Sequence, residues 1–575
     1  MTASTPPDRG PGGADGAARG DGAHPQVLVV GAGPVGLTAA HELARRGIRV
    51  RLVDAAPGPA STSRALATHA RTLEVYDQMG VLDDLLPRGQ RVEHFTLHQN
   101  GRRLIRFDTD YSRLPTRFPF TLMVDQAITE EVLRTACARH GVEVEWAVAL
   151  QGFEDDGDRV TATLRHGDGR AETVTADWLV GCDGGHSTVR KHLGLRLVGE
   201  SSETWLIADA VVECDLPRDS IHWLRTATGT VMMVPFPEPG KWRLLDTAET
   251  DYQSDEALAR RFARKIEAGS GRPVHVRSPS WVSVFTIQQR MIPVMRSGRC
   301  FVAGDAAHVH SPASGQGMNT GVQDAVNLAW KLADVIRGGA DEDLLDSYGA
   351  ERVPVGAALL QSTRMATALV QLRSRRAAAA LRTVFTIVRT VRPLKSKIQR
   401  KIMGGMSALG LSYADGPLVL GSPGGLPGGQ RAAEVTEAGL AASEGWRHFV
   451  AELREPHWHL LSFVPSDIAD GHDRRTAEET LRALDTGYSG MVRVRTVLPA
   501  TGADDAWPGP LPDPDASLRT GLRGAPGSWV LIRPDGYVAA RGTAMGGRNP
   551  GTPWGALAAL GVHRPHAHDS AVAPT

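Results

Sequence analysis

Three glycines and an acid carry the first chemistry. Gly31, Gly33 and Gly36 stand in GAGPVG with Pro34 and Val35 between them, and Asp54 follows 18 residues after the last of them. A GxGxxG turn lets backbone come close to a pyrophosphate, and an acid at the end of the next strand accepts hydrogen bonds from a ribose diol. Two more acids sit beside glycines: Asp183-Gly184 in CDGGHSTVR, and Asp305 after Gly304 in VAGDAAHVHSPASGQGMN. Each combines a carboxylate with a loop that leaves backbone N–H groups open to an anion. Ser187 reads as a helix cap. For Arg64 and Arg71 two readings stay open, a diphosphate contact or a solvated helix charge. His308 and His310 are candidate imidazoles in the third loop, but neither is nominated as a catalytic base.

These groups need strands that stop where the loops begin. QVLVV at 26–30 is a short buried-strand pattern running into the glycine turn; Leu37, Ala40, Leu43 and Ala44 then recur at helical spacing, and Ile48, Val50 and Leu52 alternate toward Asp54. That is a complete βαβ unit, the context the glycine motif requires. WLVG before Cys182 and CFVA before Gly304 repeat the pattern of an apolar strand ending in glycine and acid. Binding sites in open α/β sheets lie beyond such carboxyl ends. A helix at about 127–140 and a hairpin turning at Gly167-Asp168-Gly169 fall between them.

From about 195 to 284 short alternating stretches dominate, with Trp205, Trp223, Trp242 and Trp281, and predict a mostly antiparallel sheet facing a substrate. The pair Met232-Met233 and most of these aromatics read as core. A helix is predicted at 325–338 and a short one at 344–354; a basic segment at 364–401 reads as an interdomain helical linker. Beyond the Gly/Pro-rich break at 416–429, the strands at 458–464, 491–498, 528–532 and 537–540 form a small α/β domain. With no cysteine after Cys300, that domain has no dithiol chemistry.

The chain has 575 residues, enough for several domains, and 64 basic against 64 acidic residues. The balance gives no global attraction to nucleic acid or to an anionic membrane. Four scattered cysteines form no metal or disulfide pattern and suit a reducing cytoplasm. No spanning helix is predicted, and the histidines His563, His566 and His568 read as part of a disordered tail.

The runs GAGPVG, SRALATHARTLE, DGGHSTVR and GDAAHVHSPASGQGMNTGVQDAVNLAWKL together resemble the class A flavoprotein monooxygenases, the family with the para-hydroxybenzoate hydroxylase fold. The resemblance covers about Pro25 to Pro354, and the tail around LIRPDGYVAARG resembles the thioredoxin-like C-terminal domain of the phenol and polyketide hydroxylase branch. It implies an α/β fold: a Rossmann-like FAD-binding domain (25–194 and 288–365), an interleaved, mostly antiparallel β substrate domain (195–287), a helical linker (366–420) and a thioredoxin-like domain (421–560), between a disordered leader (1–24) and tail (561–575).

The implied cofactor is FAD, with NADPH or NADH as electron donor. Gly31, Gly33, Pro34, Val35 and Gly36 would meet the pyrophosphate and Asp54 the adenosine ribose, although many relatives carry Glu there. Arg64 and Gln126 would lie along the cofactor, Asp183 and Gly184 near FAD and the nicotinamide, Asp305 on the ribityl chain and Pro312 near the isoalloxazine. Backbone N–H groups from Gly315 through Gly317, Met318 and Asn319 would face the negative edge of reduced flavin. The activity implied is hydroxylation of a phenolic or polycyclic aromatic by O2 through a flavin C4a-hydroperoxide. The expected partners are a small aromatic and O2, with no metal, nucleic acid or membrane, in a cytoplasmic monomer or homodimer. A reductase of the same fold and a non-enzymatic flavin protein are the alternatives; a halogenase would carry a WxWxIP signature, which is absent.

Overall fold

The computed structural model describes residues 24–60, 65–108, 113–311, 315–371, 385, 388, 391–421, 428–465, 472–499, 507–547 and 549–564. Arg64, Pro312, His566 and His568 lie outside the described residues, as do the leader up to residue 23 and residues 372–384, 386–387 and 389–390 of the basic linker.

The first layer is a six-stranded sheet in the order Arg296–Ser297, Cys300–Val302, Trp178–Gly181, Val27–Val30, Val50–Val53, Val144–Glu145. All pairings are parallel except at the Arg296–Ser297 edge. Val27–Val30 and Trp178–Gly181 are buried at every position because helices pack over the sheet. The helices Pro34–Ala44, Gln126–Arg139 and Gly317–Ile336 supply that cover, the last two each packing against the first. Register brings the three acid-and-glycine junctions together. Val30 pairs with Gly181, and Gly181 with Val302, so the loops starting at Gly31, Cys182 and Ala303 leave one sheet edge side by side.

The second layer runs His308–Val309, Trp281–Met291, Val198–Glu213, Lys241–Asp246, Gly229–Pro235, Ser220–Thr226, His94–Gln99, Arg102–Asp108. It is antiparallel apart from the pairing of Ser220–Thr226 with His94–Gln99. The layer extends past the 195–287 boundary: the hairpin at 94–108 joins it from within the cofactor domain, and its last long strand continues to Met291. Strand alternation splits it into two faces. Leu206, Ala208, Met233 and Leu244 pack under the helix Asp255–Ser270, while Trp205, Ile207, Met232 and Leu245 form a separate cluster on the other face. Both methionines are buried, Met233 under that helix and Met232 in the cluster on the opposite face.

Helix Asp346–Gln371 runs well beyond the predicted 344–354, passing through Pro354. The missing N–H of one proline is outweighed by the Ala- and Leu-rich stretch that continues the helix. In the C-terminal unit five strands lie in the order Pro510–Pro512, Val492–Leu498, Trp458–Phe463, Trp529–Ile532, Val538–Gly542. Its Arg533–Gly536 turn is buried against the cofactor domain. Arg533 pairs with Glu351 at 2.6 Å, Lys331 reaches the same carboxylate at 2.8 Å, and Asp535 accepts from Trp330 Nε1 at 3.2 Å. The start of the predicted tail is also packed: Val562 is buried and bridges Ala340, and His563 bonds Asp341.

Candidate active site

A cavity of about 360 Å³ opens where the three sheet-end loops meet the second layer. Gly33, Pro34, Val35, Gln126, Gly184 and Asp305 line one half, as do Gly315, Gly317 and Met318.

The glycine turn is shaped as a cradle. Gly31 has φ +103°, and a Cβ there would meet the Cys182 carbonyl oxygen at 2.5 Å; one at Gly36 would fall 1.8 Å from the Gly31 oxygen. A Cβ at Gly33 would meet nothing within 4 Å, so this residue faces open space. Helix Pro34–Ala44 has no side-chain cap, which leaves its first N–H groups and dipole end toward that space. This is the surface a pyrophosphate needs. Asp54 closes the turn: its carboxylate accepts from the Ala32 N–H at 2.6 Å and the Ala56 N–H at 2.8 Å, using one lone pair on each oxygen and leaving others for a ribose diol.

Asp183 is turned differently. Its oxygens take Ser187 Oγ and the backbone N–H groups of Thr188 and Val189, while Ser187 Oγ accepts from Arg190 N at 2.9 Å. Both side chains cap the helix Thr188–His192, and it is Gly184, at φ +74°, that borders the cavity. Arg190 then donates to the carbonyls of Ala306 and Gly185, tying the second junction to the third.

At the third junction Gly304 (φ +62°) and Gly321 let a helix touch a turn: a Cβ on Gly321 would lie 3.0 Å from the Gly304 Cα. Below them Asp324, fully buried, takes His308 Nε2 and Arg352 Nε at 2.7 Å each, and the Gly304 N–H at 3.1 Å. Burial alone would lower the His308 pKa, but the Asp324 charge and hydrogen bond outweigh it and raise the pKa. His308 thus serves as a structural partner of Asp324. His310 stacks on it at 6.2 Å and lines the cavity; burial pushes its pKa down to about 4, so it is neutral. Asn319 pins the loop above the helix start, donating to the carbonyls of Ala67 and Gly315 and accepting from the His69 N–H at 2.8 Å. Gln126 holds the same loop by accepting from Ala65 N–H at 2.9 Å. Arg71 fits neither reading open to it: it is buried, paired with Glu74 at 3.0 Å and the Asp535 carbonyl at 2.9 Å.

The other half of the cavity is the apolar face of the second layer, including Phe95, Ile207, Ile221, Trp223, Met232 and Leu245. Two polar groups interrupt it. Arg243 is held by Asp209 through paired bonds of 2.8 Å, both residues buried, and lies over the rings of Phe236 and Trp281. Trp223 Nε1 is buried without a hydrogen-bond partner. Sequence reading passed over Arg243 and Asp209, and took Trp223 only as one of the sheet aromatics. The one available signal was charge at alternate strand positions, Asp209 and Arg243, in strands otherwise apolar. Among the described residues no cluster of His, Cys, Asp and Glu is arranged to hold a metal, and no helix is long and apolar enough to cross a membrane.

The open face at Gly33, the uncapped helix and the Gly315–Asn319 turn fit FAD along one cavity wall. A family model described as "FAD binding domain" matches residues 24–363. The chain is 56% identical to 6-methylpretetramide 4-monooxygenase of Streptomyces rimosus, over 91% of each chain. The solved OxyS anhydrotetracycline hydroxylase from Streptomyces rimosus superposes with a TM-score of 0.70 at 28% identity, covering 94% of this chain and 99% of that one. CabE, an aromatic hydroxylase from angucycline biosynthesis, superposes at 0.66 with 29% identity, covering 94% and 100%. The chain belongs to the FAD-dependent aromatic hydroxylases of the class A flavoprotein monooxygenase family.

Proposed function

We propose that this enzyme takes electrons from NADPH or NADH and uses O2 to hydroxylate a polycyclic aromatic polyketide, with 6-methylpretetramide, the compound in its relative's name, as the first candidate. One observation carries the reading: Asp305 and Gly317 of the cofactor half and Trp223 and Met232 of the apolar half line the same cavity. An aromatic held on the sheet face therefore lies against the wall suited to the flavin ring, with no protein between them.

When bound, FAD supplies electron transfer from the nicotinamide and activation of O2. The chain's residues do the rest. Gly317 and Met318 at the uncapped start of helix Gly317–Ile336 stabilise negative charge on the ring. Ile207, Ile221 and Met232 exclude water and orient a flat substrate. Arg243, fixed by Asp209, favours the phenolate over the phenol of a substrate hydroxyl, since a nearby cation lowers the pKa of an acid. A phenolate ring is the more electron-rich and accepts oxygen more readily. Trp223 Nε1 gives the wall one neutral donor for a substrate oxygen.

The test is NADPH and NADH oxidation by the FAD-loaded protein with hydroxylated aromatics of graded size and with 6-methylpretetramide. Oxidation stimulated by the polycyclic compound, with a product one oxygen heavier, is expected. Failure of every aromatic to stimulate oxidation or gain oxygen would overturn the proposal.

A further inference from the structure

A second cavity, of about 660 Å³, lies behind the reaction cavity. Gln316, Thr320 and Gln323 contribute to it, spaced four and three residues apart on one stripe of the cofactor-facing helix. Met318, two positions from Gln316 and Thr320, faces the reaction cavity instead. The opposite wall is helix Asp346–Gln371, through Val355, Ala358 and Leu359, and the roof is the segment 404–416. Exposed Ser362, Ser412 and Asp415 mark a mouth to solvent, whereas Thr320 and Gln323 are only 9% and 7% exposed. The Gln323 side chain makes no hydrogen bond among the described residues and is nine-tenths buried at the base.

The partition between the cavities is one residue thick. Gly404 and Gly405 line the outer one, and the next residue, Met406, lines the reaction cavity. Gln316 Nε2 donates to the Gly405 carbonyl at 2.9 Å, latching the partition to the helix start.

We infer that the outer cavity is a binding chamber for the aromatic substrate, which waits there before passing the Gln316–Gly405 latch and Met406 into the reaction cavity. This rests on the polycyclic aromatic reading above. The lining chooses the ligand class. It offers an apolar ridge for fused rings and neutral amide and hydroxyl groups for ring oxygens. Among the described residues its lining contains no Lys or Arg, so the diphosphate of a nicotinamide cofactor finds no cation there, and Asp415 stands at the mouth. The other lining acid, Glu351, is already neutralised by Lys331 and Arg533.

The holoenzyme tests this by stopped flow, following the flavin absorbance change as 6-methylpretetramide binds. Filling the chamber with Ala358→Trp, or its mouth with Ser362→Trp, is expected to slow association at least tenfold with FAD content preserved, and opening the latch with Gln316→Ala to speed it. Association within twofold of wild type in both filled variants overturns the chamber while leaving the hydroxylase reading intact. Slowed flavin reduction by NADPH with normal aromatic binding also overturns it, assigning the cavity to the nicotinamide. A wild-type holoenzyme that binds none of the aromatics removes both the reading and the chamber.

Discussion

Gly33 and Gly317 meet the reaction cavity with backbone, whereas Trp223, Met232 and Arg243 meet it with side chains from three separate strands. The cofactor half is local: each loop follows one strand, and its geometry comes from glycines and an uncapped helix end. The substrate half is assembled across the sheet, from residues joined only by register. A wall of backbone recognises what all users of one cofactor share. A wall of side chains can be rewritten one residue at a time, which suits a site whose substrate differs among relatives.

The comparison breaks most sharply at the glycine turn. Gly36→Ala puts a Cβ 1.8 Å from the Gly31 oxygen, a backbone atom that cannot rotate away. The expected outcome is protein without bound flavin, read as flavin absorbance per mole. Retention of FAD by this variant would mean the cradle is not backbone-limited.

Next in size is the buried charge beneath the third loop. Asp324→Asn leaves the buried Arg352 without its carboxylate partner, and removing one partner of such a pair costs about 3–5 kcal/mol. Lower thermal stability and weaker FAD retention should appear together. The His308 pKa is raised in the folded protein, so its contribution is fully present below the ordinary 6.5 and is lost as pH rises through the folded value. Asp324→Asn should remove that part of the pH dependence of FAD retention, and an unchanged pH dependence would contradict the pairing.

On the substrate side, Arg243→Met should leave FAD content intact while kcat/KM falls roughly 100-fold, equivalent to about 3 kcal/mol. Because Asp209 would be left buried and unpaired, Asp209→Asn/Arg243→Met is the necessary companion. The double variant should regain stability without regaining rate. Without the cation the substrate phenol ionises at higher pH, so the acidic limb of the kcat/KM profile should move upward. A limb that stays in place would separate Arg243 from phenolate formation.

The same division governs what was legible in the sequence. The βαβ unit, the three sheet-end junctions and the Ser187 cap can be read from adjacent residues, because local spacing dictates backbone turns. Arg71 was ambiguous because its partners, Glu74 and the Asp535 carbonyl, include one 464 residues away. The 94–108 hairpin drew no reading of its own, since its place in the second layer depends on parallel pairing with Ser220–Thr226, a register no local pattern encodes. Met232 and Met233 differ only in which face of the sheet is open, and that is fixed by the helix Asp255–Ser270 covering one side. Asp183 was read only as a ligand group, whereas its carboxylate also accepts from the start of the helix Thr188–His192, an engagement that spacing leaves undecided.

The smallest change sharpens the comparison at a single atom. Trp223→Phe keeps an aromatic surface against Phe95, whose ring centre lies 6.2 Å away, but deletes the unpartnered Nε1 donor. A neutral hydrogen bond contributes about 1 kcal/mol net, so kcat/KM should fall roughly fivefold for a substrate that places an oxygen at that edge. An aromatic of equal ring count lacking that oxygen should lose nothing, because Nε1 is already without a partner in the free enzyme. Equal losses for both substrates would mean that the ring's packing, and not its donor, sets selectivity. The substrate half would then discriminate by shape alone, as the cofactor half does through its glycines.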